Sequence, residues 1–155
     1  MEKETLKKIF EFLEENGEHN APILWKLKNN IPLIDEDLIV KGNLDLSYTN
    51  ITSLPEGLRV DGNLNLIGLD IKSLPEGLKV DGNLDLNGCK NIELLPDGLK
   101  VGGWLDLENT SITSLPKGLE VHGDLYRKNT ELEKYSDYEL HNMIKPGYIQ
   151  GKIYR

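Results

Sequence analysis

Cysteine is almost absent from this chain: 155 residues contain one, Cys89. A lone thiol excludes an internal disulfide and points to a reducing compartment, so we expect a cytoplasmic protein. No stretch approaches the ~18 consecutive apolar residues of a membrane span. The opening segment, MEKETLKKIFEFLEENG, mixes acids through its apolar positions and lacks a small-residue cleavage site, so it reads as a helix rather than a signal peptide. Basic residues are outnumbered, 18 Lys+Arg against 26 Asp+Glu, for a net charge of −8. That balance argues against direct nucleic-acid binding, which needs Lys and Arg clustered over phosphates. Catalytic spacings are missing too. His19, His122 and His141 have no nucleophile or carboxylate at motif distance, and there is no H-x-x-x-H, C-x-x-C or Walker sequence. Gly102-Gly103 precedes a strand rather than a helix, so it is no phosphate loop. These absences lead us to expect no enzyme activity, no cofactor and no metal.

What the chain does have is a repeat. Lys41–Val60, Asp61–Val80, Asp81–Val101 and Gly102–Val121 align with a period of 20 residues and one insertion at Lys90 or Asn91. Each unit reads G-x-L-x-L, four variable residues, then I-x-x-L-P-x-G-L-x-V. The alternating leucines predict a short strand with both leucines on one side. Twenty residues leave no room for a full helix on the way back. The L-P-x-G-L piece therefore predicts an extended or single-turn return segment, with proline fixing φ and glycine supplying the bend. One such coil cannot bury its leucines alone; stacked coils make a continuous core.

Leu44-x-Leu46, Thr49, Ile51, Leu54-Pro55 and Leu58 resemble the short, 20-residue leucine-rich repeat of bacterial effector proteins, over residues 41–128. The wording L-P-x-G-L-x-V-x-G-x-L-x-L is also similar to small leucine-rich proteins predicted from tailed-phage genomes. The resemblance implies a repeat solenoid with a parallel leucine-rich-repeat sheet. Effector-type ligases carry a separate catalytic Cys domain after their repeats, and this chain has no room for one. The resemblance thus implies a binding scaffold without ligase chemistry.

The frame extends past the clear units. Ile34 to Val40 matches the L-P-x-G-L-x-V half-unit with acids in place of Pro and Gly, and Ile149 to Arg155 nearly copies Val121 to Arg127. We expect the latter to form a sixth strand. Between them Ser136-Asp137-Tyr138-Glu139 has capping-box spacing, Leu140, Met143 and Ile144 follow at helical intervals, and Pro146-Gly147 stops the helix. At the other end Leu6, Ile9, Phe10 and Leu13 form an apolar stripe ended by Gly17, and a second short helix carries Ile23, Leu24 and Leu27. The expected organisation is one continuous domain: a helical N-terminal cap over 1–33, leucine-rich repeats over 34–128, and a helix-plus-strand C-terminal cap over 129–155.

Function in such a solenoid lives on outward strand positions, because inward ones are committed to packing. The outward columns are Asn43, Asn63, Asn83, Trp104, Asp124, Lys152; Asp45, Asn65, Asp85, Asp106, Tyr126, Tyr154; and Ser47, Ile67, Asn87, Glu108, Lys128. Asp85 and Asp106 could approach one cation, but too few oxygens converge, and a solvated acidic face is the reading adopted. Cys89 falls at the place of Thr49 and Thr110, and we expect it to be inward and inert. Trp104, Tyr126 and Tyr154 have the composition of interface anchors, unless the C-terminal cap folds over them. Asp45, Asp85 and Asp106 form an electrostatic surface beside them. The expectation is a monomeric protein-binding module that grips a protein partner with a basic surface through its concave sheet, as a phage or bacterial protein acting on a host defence or regulatory protein in the bacterial cytoplasm. A structural component acting through oligomer contacts is the alternative.

Overall fold

The structure is a computed structural model and describes residues 4, 7, 8, 11, 21–29 and 32–155. The expected stripe of Leu6, Ile9, Phe10 and Leu13 lies outside the described residues, as does Gly17. From Ile39 onward the chain is a parallel β-solenoid. Each coil contributes two strands of two residues, and the strands stack into two six-stranded sheets. The second sheet is the one the G-x-L-x-L pattern predicts: β2 (Leu44–Asp45), β4 (Leu64–Asn65), β6 (Leu84–Asp85), β8 (Leu105–Asp106), β10 (Leu125–Tyr126) and β12 (Ile153–Tyr154). The first sheet is formed by β1 (Ile39–Val40), β3 (Arg59–Val60), β5 (Lys79–Val80), β7 (Lys100–Val101), β9 (Glu120–Val121) and β11 (Tyr148–Ile149). Here the sequence reading is incomplete. It assigned each x-V pair to the return segment, whereas these pairs form a ladder of their own, with valines or Ile149 inward and the preceding side chain outward.

Register is uniform: Leu44, Leu64, Leu84, Leu105, Leu125 and Ile153 are successive partners. Both leucines of each G-x-L-x-L are fully buried through β8, and so are Ile71, Ile92 and Ile112 of the return segments. The insertion after Cys89 is absorbed in a turn, with Ile92 N–H donating to the Cys89 carbonyl at 3.3 Å, before the next strands pair. Two glycine positions are dictated by geometry. Gly57, at the third position of the P-x-G-L turn, has φ 76°, which side-chain-bearing residues rarely adopt. Gly62, at the corner between β3 and β4, has no space for a side chain: a Cβ there would lie 2.5 Å from the Gly42 carbonyl carbon one coil below.

Both ends are covered. Helix α1 (Ala21–Lys28) buries Ile23 and Leu24 in the common core, and Trp25 as well. It is tied to the 3-10 turn Asp35–Leu38 by Lys26 Nζ donating to Asp37 Oδ2 at 2.5 Å. Helix α2 (Asp137–Met143) starts from the expected capping box, with Ser136 Oγ accepting from Glu139 N–H and Glu139 Oε2 accepting from Ser136 N–H at 2.7 Å. Leu132 before it, Leu140 within it and Ile144 at its C-terminal end are buried in the common core, and the chain re-enters both sheets as β11 and β12. No described helix is long and apolar enough to cross a membrane.

Candidate functional site

The outward columns of the second sheet are less free than their exposure suggests. Asn43 Oδ1 accepts from Asn63 N–H at 2.8 Å, Asn63 Oδ1 from Asn83 N–H at 2.9 Å, and Asn83 Oδ1 from Trp104 N–H at 2.9 Å. Each asparagine therefore satisfies the corner amide of the next coil. Asp124 does the same for Lys152 at 2.7 Å. In the neighbouring column Asp45, Asn65, Asp85 and Asp106 each accept from the amide two residues on, at 2.7 to 3.1 Å, fixing the turn that leaves the strand. The Asn and Asp residues that read as a recognition surface are thus first of all ties in the stack.

Against that pattern four residues break rank, Lys152 and three aromatic residues. Trp104, Tyr126 and Tyr154 stand where other coils place Asn or Asp, and none can supply the carboxylate or amide oxygen those coils use. The three rings form one cluster. Trp104 and Tyr126 meet at right angles with centroids 6.2 Å apart, and Tyr126 and Tyr154 stack with centroids 5.0 Å apart and planes 11° from parallel. Trp104 and Tyr126 are half-buried and Tyr154 is 40% exposed. The C-terminal tyrosines are engaged elsewhere or open: Tyr148 hydroxyl lies 2.8 Å from His122 Nε2 beside the first sheet, Tyr135 packs against the core, and Tyr138 is 75% exposed.

Acids surround the rings. Asp106 is the register partner of Tyr126, and Glu108 and Asp124 flank the same cluster. Burial pushes the Asp106 carboxyl above the usual aspartate range. It does the same to Asp85, which the Asp106 charge raises further. Tyr126 is raised by burial and by the nearby Asp124, Tyr154, Asp106 and Glu108. None of Asp85, Asp106, Glu108 and Asp124 has an ion-pair partner among the described residues. Asp45 lies three coils away from the rings, at the exposed start of the column. The structure therefore brings Asp106, Trp104, Tyr126 and Tyr154 together, places Asp85 one strand further off, and leaves Asp45 apart.

The first sheet treats its charges differently. Arg59 is held by Asp61 and Asp81, each at 3.1 Å, and Lys100 by Glu120 at 2.8 Å. Its shallow groove of about 510 Å³, lined in part by Lys79 and His122, is mixed in sign.

Two buried polar groups support the fold. Cys89 is fully buried, its thiol raised by desolvation, and its Sγ lies 3.0 Å from the Leu66 carbonyl. Thr49 and Thr110 instead donate to the carbonyl three residues back in their own coil, both at 2.7 Å. Leu69 occupies the threonine position in the second coil and has no hydroxyl to donate, so Cys89 reaches across to the Leu66 carbonyl. Arg127, which the sequence reading did not single out, replaces the second strand leucine and is fully buried. Its Nη1 donates to the carbonyls of Leu132 and Tyr135, and Nη2 to Asp137 Oδ1 at 3.1 Å. The signal available in the sequence was the interruption of the column Leu46, Leu66, Leu86, Leu107.

Among the described residues no three His, Cys, Asp or Glu side chains come together as a metal site. Comparisons of the chain with protein-family models, curated proteins and solved structures find no match in any of the three. Its own geometry defines the class: a parallel β-solenoid of roughly 20-residue coils, closed by a helix at one end and by a helix and strand at the other.

Proposed function

We propose that this chain is a non-enzymatic protein-binding module whose working surface is the outward face of the second sheet, with Trp104, Tyr126 and Tyr154 as anchors and Asp106 and Asp85 as the charged surround. One observation carries the reading. At Trp104 and Tyr126 the chain forgoes a hydrogen bond that ties its other coils and places an aromatic ring there instead, with Tyr154 stacking a third ring beside them. Residues that break a local structural rule on an exposed face are expected at functional sites, and Trp and Tyr are the residue types enriched in interface hot spots. A rigid stack favours such a role because the rings are held in place before binding.

The repeat wording, L-P-x-G-L-x-V-x-G-x-L-x-L, supports placing the coils with the short leucine-rich repeats of bacterial effectors and of small phage-genome proteins. On that basis the partner is a host defence or regulatory protein with a basic surface, met in the bacterial cytoplasm by a monomeric binder. Affinity capture from a bacterial lysate tests this. The same protein should be retained by the wild type and lost with Trp104→Ala, while the variant keeps the wild-type melting temperature. Retention of that protein by Trp104→Ala would sink the proposal. Light scattering after size exclusion should give a monomer mass of about 17.5 kDa; a stable oligomer would favour the assembly role instead.

A further inference from the structure

The cluster has a geometry more specific than an aromatic patch. Trp104 and Asp106 lie two residues apart on one face of β8 and its approach, Asp124 and Tyr126 likewise on β10, and the strands pair in register with Asp106 opposite Tyr126. Trp104 therefore stands opposite Asp124. Rings and carboxylates alternate at the corners of a small rectangle, about 4.8 Å across the strands and about 6.6 Å along them. The rings occupy one diagonal and meet in an edge-to-face corner at 90°. The carboxylates occupy the other diagonal.

Each corner residue attracts positive charge. Ring faces carry the negative lobe of the aromatic quadrupole, and Asp106 is a half-buried carboxylate with no cation paired to it among the described residues. One Asp106 oxygen holds the Glu108 amide at 2.7 Å, and the other has only Asn87 Nδ2 at 3.5 Å. The nearest lysines by register are Lys128, opposite Glu108, and Lys152, opposite Asp124; neither is within ion-pair distance of an acid among the described residues. The molecule neutralises most of the charge on its first sheet internally but leaves this rectangle uncompensated.

We propose that the Trp104–Tyr126 corner, with Asp106 and Asp124, is a receptor for an arginine side chain presented by an extended segment of a protein partner. The inference rests on the protein-binding reading of this face and names what it recognises. Arginine suits the site better than lysine because its planar guanidinium stacks on one ring while its forked N–H donors reach a carboxylate beside that ring. Tyr154, stacked behind Tyr126, fixes that ring in position.

The test uses a fluorescein-labelled (Gly-Arg)5 peptide and its citrulline counterpart, which keeps the planar shape but removes the charge and replaces one terminal NH2 donor group by a carbonyl oxygen. Anisotropy titrations at low salt should give saturable binding of the arginine peptide and at least tenfold weaker binding of the citrulline peptide. Trp104→Ala, and separately Asp106→Asn with Asp124→Asn, should each weaken the arginine peptide at least tenfold. Glu56→Gln with Glu76→Gln removes two equal charges from exposed return-segment positions and should leave the affinity within twofold. Equal binding of the citrulline peptide, equal loss in the Glu56/Glu76 variant, or no saturable binding would overturn the proposal. If the arginine peptide fails while a lysate partner is still lost with Trp104→Ala, only the guanidinium assignment falls. If that partner survives Trp104→Ala, the broader reading falls with it.

Discussion

At the scale of single residues, the core leucines and the outward side chains answer to different constraints. Leu84 is fully buried and stacked between Leu64 and Leu105, so Leu84→Ala leaves a cavity that neighbouring coils cannot fill without losing register. Denaturant melts should show a loss of ~2–5 kcal/mol; a loss below ~1 kcal/mol would mean that the stacked core is wrong. Tyr48 is the opposite case. Its φ is 53°, a left-handed conformation that costs a non-glycine residue about 1–2 kcal/mol, and its side chain is 80% exposed. Gly68, Gly88, Asn109 and Asn129 occupy the same place in later coils with positive φ, and Asn109 and Asn129 also bond to the coil before. Tyr48→Asn should therefore hold or raise stability, by up to ~1 kcal/mol, and a drop of more than that amount would show the ring over Gly68 to be a needed contact.

Asp85 and Asp106 carry a pH dependence whose sign can be worked out. Burial raises both carboxyls in the folded chain, so each binds its proton more tightly folded than unfolded. Their favourable contribution is present below the unfolded aspartate value, near 4, and is lost as pH rises through the higher folded value. Asp37 runs the other way. Burial alone would raise it, but the Ile34 amide and Lys26 outweigh that and hold it below the usual value, so its contribution is lost as pH falls. Asparagine can keep the turn bond of both half-buried acids, as Asn65 does at 3.1 Å. The double change Asp85→Asn with Asp106→Asn should stabilise the chain at pH 7 by about 0.5–1 kcal/mol, with the gain shrinking toward pH 3. A variant less stable at pH 7 would contradict the uncompensated-charge account.

At the scale of elements, the C-terminal cap depends on one buried cation. Arg127 gives the carbonyls of Leu132 and Tyr135 their donors and pairs with Asp137 at the start of α2. Arg127→Leu restores the repeat pattern and fills the volume, so the coils should persist while the cap loosens. Hydrogen exchange should speed up at least tenfold across residues 132–144 and stay unchanged at Leu66 and Leu86. Equal acceleration in both regions would mean that Arg127 supports the whole stack rather than the cap. The ease of reading these elements follows from their periodicity. A paired leucine at i and i+2, repeated every 20 residues, marks β2, β4, β6 and β8 plainly, and Ser136 with Glu139 marks α2. The first sheet was not legible because each of its strands is a single outward–inward pair such as Arg59-Val60, indistinguishable in sequence from the end of a return segment. Arg127 was missed because arginine at a strand position reads as solvent-facing; only its place in a leucine column says otherwise.

At the scale of the whole molecule, the two sheets present unlike faces. The first pairs Arg59 and Lys100 with their own acids, while the second ends in a ring cluster bordered by unpaired carboxylates. The outward columns were correctly placed by alternation alone, and the three rings were picked out there. The hydrogen-bond ladder of Asn43, Asn63 and Asn83 was not, because an asparagine column fits a hydrated surface as well as a stacked tie. That ladder gives the aromatic substitutions their meaning. The central claim is that partners dock on these rings, and hydroxyl-radical footprinting of the chain with its captured partner reads them directly. Tyr48 and Tyr138, 80% and 75% exposed and distant from the cluster in sequence, serve as internal references. Oxidation of Trp104, Tyr126 and Tyr154 should fall severalfold on binding while Tyr48 and Tyr138 oxidise at their free rates. Protection of Tyr48 or Tyr138 with Trp104 unchanged would contradict the account.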